Sequence, residues 1–533
     1  MRASLPAPFP ALDVSGDYNP GIRLFGKRFI SEQSVVEYLV EFLALIYSDK
    51  WIADHELIST PLPSTEDLHN WPQGKKLYYK LPVKLNLKLF AFLSSSRVDT
   101  RHEVHKAHYR SLVEQLYNKI NINSGSKQDV IEQLEQFLRG YHGAGANRTW
   151  CAQTFLPISP SLLTQETIWN ESISRREPPL GWYDSIMRFH KYYSVSKHRF
   201  MARGGELLYL QLCNLFSGNP NKLSEFSKRL GLNSEEANLA VFHQSLQEGF
   251  EKLNRGYTAA LDRLVHFIDS LNKETQELTN KDEDGLSCEW CPRESWPESY
   301  LFAVEMNRLL GAALDPVEHL ELLMTGCALQ VLRSLCAQSV RYTVRQNGGR
   351  GSVLGYAWLF SPSNMPSRQQ RLASQRNLQV VQALIQKALR FEELVQNARR
   401  SPDKTEEQLY READNKYAHK LFLSLGKKMG IIAPYKGPGA RFIMTDSLLR
   451  YLVTVLLRPG ERCTYDDFLR KLYLHYGIAV EGEALTDSLS WSDLPANSSV
   501  QPAKGSWLTE MLRAGGFLTE LSDACSIVCN PFS

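Results

Sequence analysis

The decapeptide RHEVHKAHYR, Arg101 to Arg110, sets His102, His105 and His108 three residues apart with Glu103 among them. Imidazoles on one drifting stripe of a helix could hold a metal ion. A zinc-protease helix needs its two histidines four apart with the glutamate as base, and here the pattern is HExH, one residue short. A polar, basic helix face is the simpler reading. Cys288 and Cys291, in CEWC, have the spacing of half a zinc ribbon, but no second pair answers them; Cys525 and Cys529 stand four apart in an expected hairpin. Cys151, Cys213, Cys327, Cys336 and Cys463 sit among apolar neighbours, as reduced core thiols do.

In ARGGELLYL, Ala202 to Leu210, a glycine pair precedes a helix whose N-terminus could receive an anion. Glu206 in its first turn is the alternative occupant of that dipole. There is no GxxxxGK[ST] loop, and no carboxylate pair stands out as a metal-nuclease site. The chain therefore reads as non-catalytic and without a cofactor. A cryptic metal-dependent nuclease is the alternative.

Charge gives the positive signal. The 533 residues carry 61 Lys and Arg against 58 Asp and Glu, a net of only +3. Yet no acid occurs between Glu321 and Glu392, an interval holding Arg333, Arg341, Arg345, Arg350, Arg368, Arg371, Arg376, Lys387 and Arg390. Arginine forks onto phosphate oxygens, and Tyr342, Tyr356, Trp358 and Phe360 in the same stretch offer flat faces for bases. Two further stretches behave alike. Lys75 to Arg110 includes Lys84 and Lys88 against only Asp99 and Glu103. Arg175 to Arg203 sets Arg188, Lys191, Lys197, Arg199 and Arg203 among Trp182, Phe189, Tyr192, Tyr193 and Phe200. Interleaved cations and aromatics suit a nucleic-acid backbone with bases stacked beside it. The competing account is a solvated basic face with snorkelling cations over core aromatics.

The elements that must position these residues are mainly helical. Length suggests about three or four domains: residues 1–150, a small α+β unit; 151–280, helical with the basic-aromatic segment; 281–400, helical with the acid-free segment; and 401–533. Ser31 is the expected cap of a helix to about Lys50, and KLYYKLPVKLNLKLFAFL alternates leucine and lysine as a strand with one cationic face. Helices are expected near 100–120, 204–217, 223–231, 234–253, 255–273, 298–312, 316–338, 369–399 and 405–429, with Lys273–Gly285 as an exposed acidic linker. No apolar run approaches the roughly 20 residues of a bilayer span; YLVTVLL is the nearest, and the expected location is the cytoplasm.

From Asp446 onward the expected order is helix, short strand, helix, a polar insertion over Ile478–Ala503, helix and hairpin. That order resembles a winged helix. The hairpin GIIAP/RFIMT around YKGPGA, carrying Lys436 and Arg441, reads as the wing of a preceding, tandem unit. From Asp446 to Ser533, however, seven Lys and Arg face eleven acids, which favours protein docking over phosphate binding for this segment. The fold class expected is thus mainly α and multidomain, with a C-terminal winged-helix region, single or tandem. The architecture is similar to accessory subunits of multi-gene prokaryotic anti-phage defence systems. That resemblance implies a DNA-binding adaptor, with helicase or nuclease chemistry on a separate protein subunit. A scaffold that binds only proteins is the rival.

Overall fold

The computed structural model describes residues 5–14, 19–53, 56–93, 102–143, 149–195, 201–255, 259–279, 285–343, 352–364, 366–398, 404–495, 506–522 and 525–532. Lys197, Arg199, Arg345 and Arg350 lie outside the described residues, as does the NGGRG turn.

At the centre runs the Pro316–Tyr342 helix, with Asp315 as its N-cap and proline at its first position, where the absent N–H costs nothing. It is apolar on nearly every face, the mark of a helix buried on all sides. Helices Trp296–Gly311, Val35–Tyr47, Arg368–Leu389 and Asp446–Leu456 pack around it. It is also long and apolar enough to cross a membrane by length and composition, unlike the short YLVTVLL run, but 83% of its apolar window is buried within the protein. Gly326 lets its neighbours close in, because a side chain there would meet Met306 and the Tyr451 hydroxyl.

The Val35–Tyr47 helix is capped by Ser34 rather than Ser31. Ser34 has Glu37 three residues on and forms a reciprocal capping box, whereas Ser31 bonds instead to the carbonyls of Lys416 and Asn415. This helix crosses Gly204–Phe216 at Gly204 and Gly205. The crossing is close enough that a methyl on Gly205 would lie 2.5 Å from the Phe42 nitrogen. The expected anion at the Gly204 helix start is internal. Glu41 accepts from the Arg203 and Gly205 N–H groups at 2.8 and 2.9 Å.

The long strand expected over residues 76–93 is corrected. Only Leu77–Lys80 is extended, between Asp49–Ile52 and Leu286–Ser287 in an antiparallel sheet, and Leu85–Phe92 is a helix. Pro82 has no N–H for a ladder, and Lys84 turns the chain with φ 44°. The helix that follows is buried on every face, so its leucines satisfy a period of two by coincidence.

Buried apolar side chains fall into two clusters. One runs from Phe9 to Val528 and draws on both the Val35–Tyr47 helix and the C-terminal segment. The other gathers Val83 to Leu271 around the Leu85–Phe92 helix. Part of the expected acidic linker, Lys273–Thr279, is helical.

The C-terminal segment runs helix Asp446–Leu456, strand Arg462–Thr464, helix Tyr465–Tyr476, strand Ile478–Ala479, helix Gly482–Trp491, helix Trp507–Ala514 and strands Leu518–Ser522 and Cys525–Cys529. Arg462–Thr464 pairs with Cys525–Cys529, which pairs in turn with Leu518–Ser522, all antiparallel. The expected polar insertion is not unstructured. Its Leu485, Leu489 and Trp491 are buried, and Ile478–Ala479 pairs in parallel with Trp358–Leu359. Upstream, Ile432–Ala433 and Arg441–Met444 form the expected hairpin, and Arg441–Met444 also pairs in parallel with Ser361–Pro362.

Candidate nucleic-acid interface

Among the described residues, most of the cations singled out by sequence have partners inside the molecule. Helices Trp296–Gly311 and Pro316–Tyr342 run antiparallel, with acids on the first and arginines on the second. Arg341 forks onto Glu298, Arg333 meets Glu305, and Glu294 accepts from Gln338 and Tyr342. The interval without acids in sequence is therefore not without acids in space. Arg390, near its end, pairs with Asp414.

The other two stretches are also occupied. Arg188 binds Asp184, with Nε 2.9 Å from the carboxylate, and Lys191 pairs with Glu177. Arg203 is buried against Glu206 and the Ser287 carbonyl. Lys84 donates to the Ser161 carbonyl; Lys88, fully buried, donates to the carbonyls of Cys151 and Gln165 at 3.0 and 2.6 Å. Burial pulls the Lys88 ammonium down to about 8. The cationic strand face expected at Lys84 and Lys88 thus turns inward, because these lysines close buried backbone carbonyls.

The aromatics proposed for stacking are corrected too. Tyr342, Tyr356, Trp358 and Phe360 are buried, with Trp358 and Phe360 stacked on Phe442. Phe189, Tyr192 and Tyr193 are core residues of the second cluster. His102 caps its helix, His105 lies against Trp150 and Trp169, and His108 stacks on Trp182 at 4.4 Å. Burial takes His108 down to about 3, so it stays neutral. Among the described residues no group of three or more His, Cys, Asp or Glu is disposed to hold a metal.

Six described cations remain, of which Lys387 stands apart near the far end of its helix. Arg368, Arg371 and Arg376 lie on the exposed stripe of the Arg368–Leu389 helix. Its opposite stripe, including Ala373, Asn377, Leu378 and Val381, is buried. Ser367 and Gln370 form a capping box that fixes the helix start, and no acid occupies its first turn. Polar residues on the inner stripe place the neighbouring strands. Ser374 bonds both the N–H and the carbonyl of Phe442, and Asn377 accepts from the Leu359 N–H.

The Ile432–Ala433/Arg441–Met444 hairpin is thereby held against the helix. Ile432 and Phe442 pair on the core side, and Ala433 and Arg441 pair on the outer side. Gln375 reaches the Gly439 carbonyl at 3.1 Å. Arg441 donates to Ser361 Oγ and the Ser363 carbonyl, and residues 435–439 are exposed. Burial, and then the cation of Arg371, pull the Arg441 guanidinium below its ordinary value.

Among the described residues, none of Arg368, Arg371, Arg376, Lys436 and Arg441 forms an ion pair with a carboxylate. Two arginines at the positive end of a helix, beside a third that already feels cationic repulsion, form a site that an anion relaxes. Tyr435, next to Lys436, is 63% exposed and was not singled out by sequence. The signal was an aromatic residue inside a Pro/Gly turn, PYKGPG, where no core contact requires one.

The C-terminal segment has different chemistry. In the helix Trp507–Ala514, Ser506 is the N-cap and Arg513 pairs with Glu520. A groove of about 730 Å³ between the Tyr465–Tyr476 and Gly482–Trp491 helices is lined by Asp466, Asp467, Tyr473, Glu481, Glu483 and Asp487. No family model, curated protein or solved structure matches the chain.

Proposed function

We propose that the chain is a non-catalytic, cytoplasmic, nucleic-acid-binding subunit of a larger assembly, with DNA as the favoured ligand. Arg368, Arg371, Arg376, Lys436 and Arg441 would grip the phosphate backbone. The observation that carries this reading is that these five cations share one helix–hairpin surface with no carboxylate partner among the described residues, whereas Arg333, Arg341 and Arg390 of the acid-free interval are paired. Phosphate contacts of this kind give affinity with little sequence readout.

The C-terminal segment supports a winged-helix reading through its order of helix, strand, helices and hairpin and through the edge strand Arg462–Thr464. Its acidic groove and paired Arg513 suit docking to another protein, in line with an adaptor whose helicase or nuclease is a separate chain, as in anti-phage systems. The same groove is what favours the second reading, a scaffold that binds only proteins.

The test is binding to labelled DNA across a salt series, with Arg368→Glu/Arg371→Glu beside the wild type. Wild-type affinity should fall steeply with salt, and the variant's slope should be shallower by about two, one per lost phosphate contact. Arg411→Glu, an exposed residue on another helix, should leave the slope unchanged. No binding at about 50 mM salt, where such contacts are strong, hands the lead to the scaffold reading.

A further inference from the structure

The surface just described has one non-cationic member whose exposure the fold does not explain. Tyr435 is the most exposed aromatic among the large apolar side chains left in solvent, and among the described residues it has no hydrogen-bond or ring partner. Burial or a hydroxyl partner is the usual use of a tyrosine, and here neither occurs. Nothing nearby screens the ring: Gly437 and Gly439 contribute no side chains, and both have positive φ, 94° and 85°, which the turn demands.

The hairpin tip is nevertheless fixed. Ile432 and Phe442 anchor its base in the core, and Gln375 ties Gly439 to the arginine helix. Tyr435 and Lys436 follow the Ile432–Ala433 arm, Arg441 begins the other arm, and Arg371 lies on the adjoining helix near enough for its cation to act on Arg441. Such a ring can stack on the face of a base, and a base offers that face only when it is unpaired or at a frayed end. A continuous duplex would present phosphates to the arginines and nothing to the ring.

We infer that Tyr435 is a base-stacking residue and that the site takes single-stranded nucleic acid, one unpaired base on the ring and flanking phosphates on Arg371, Lys436 and Arg441. This rests on the phosphate-binding reading above and narrows its ligand class.

The experiment uses the full chain with an oligothymidine of about 20 nucleotides, long enough for a site of ordinary size, and a blunt mixed-sequence duplex of the same length. A second single strand carries 2-aminopurine. Wild type, Tyr435→Ala, Tyr435→Phe and Arg368→Glu/Arg371→Glu are compared. The single strand should bind more tightly than the duplex, and Tyr435→Ala should lose about tenfold on the single strand and little on the duplex. Tyr435→Phe should keep wild-type affinity, and 2-aminopurine quenching should disappear only with the ring.

Equal single-strand affinity in wild type and Tyr435→Ala, with binding still lost on arginine reversal, would overturn the inference and leave the phosphate reading standing. Absence of binding to either oligonucleotide would overturn both. Tyr435 is an exposed turn residue, so unchanged circular dichroism is expected for its variants.

Discussion

Arg341 donates through both terminal nitrogens to the two oxygens of Glu298, a fully buried carboxylate 43 positions earlier, with one contact at 2.8 Å. Seven residues further along the first helix, and eight back along the second, Glu305 meets Arg333. The spacing is two helical turns on each side, so the pairs mark the register of the antiparallel helices Trp296–Gly311 and Pro316–Tyr342. Both pairs join the two helices, and each arginine is committed to a buried carboxylate.

The deeper pair makes the sharper stability test. Arg333 and Glu305 are essentially inaccessible to solvent. Arg333→Met should cost about 3–5 kcal/mol in denaturant unfolding, because it strands a buried carboxylate. The double variant Arg333→Met/Glu305→Leu should recover much of that loss. A double variant no more stable than the single one would mean that the pair does more than neutralise itself.

Lys50 and Lys88 give a pH signature. Burial lowers both ammonium groups to about 8, from an ordinary value near 10.5. Between those values the unfolded chain binds more protons than the folded one, so stability should rise as pH increases from about 8 to 10. For Lys88 alone the gain is up to about 2 kcal/mol. The difference in stability between wild type and Lys88→Met, followed across that range by chemical denaturation, should grow by that amount.

Gly205 lies at a close helix crossing in the core. A methyl there would collide with backbone atoms of Tyr38 and Phe42, which cannot swing aside as a side-chain end can. It would also push Glu41 off the N–H groups of Arg203 and Gly205. Gly205→Ala should therefore destabilise by several kcal/mol, in the range of severe overpacking, and lower the thermal midpoint accordingly. Gly231→Ala, with open space around the glycine but φ 67°, should cost about 1 kcal/mol from backbone strain alone.

Asp269 offers the opposite sign. Burial raises its carboxyl to about 6 against an ordinary 3.8, with Lys84 partly offsetting the shift. A raised carboxyl favours the folded state below its unfolded value and loses that contribution as pH rises through about 6. Asp269→Asn should therefore unfold at higher denaturant than wild type at pH 7, by up to about 2–3 kcal/mol, and the advantage should vanish near pH 4.

How much of this the chain displays as a sequence depends on which property carries the signal. Many of the helices after residue 200 were legible because amphipathic spacing and caps agree, as in Thr464 before Tyr465–Tyr476, whereas Gly482–Trp491 was read as insertion and Lys273–Thr279 as linker. The hairpins at residues 432–444 and 518–529 were legible from turn chemistry. Leu85–Phe92 was not, because a helix buried on every face has no polar stripe to set its period. The interface was legible only in part. Sequence shows where cations stand without neighbouring acids, but pairing is decided across elements, as Glu298 and Arg341 show. Arg368, Arg371, Arg376, Lys436 and Arg441 could be separated from Arg188, Lys191, Arg203, Lys84 and Lys88 only once the helices were placed.

The first core cluster has a consequence for how the molecule is made. Ser31 bonds to a carbonyl 384 positions later, and the helix Val35–Tyr47 packs on the later helices Gly204–Phe216 and Pro316–Tyr342. On a ribosome the early helix must wait, partly uncovered, until those late partners emerge, since non-local contacts cannot form before the chain that makes them. During that interval its leucines are open to solvent or to a chaperone. Emergence of the Pro316–Tyr342 helix, rather than any earlier unit, covers this face. Nascent chains arrested short of Pro316 should accordingly be aggregation-prone species in the life of this protein.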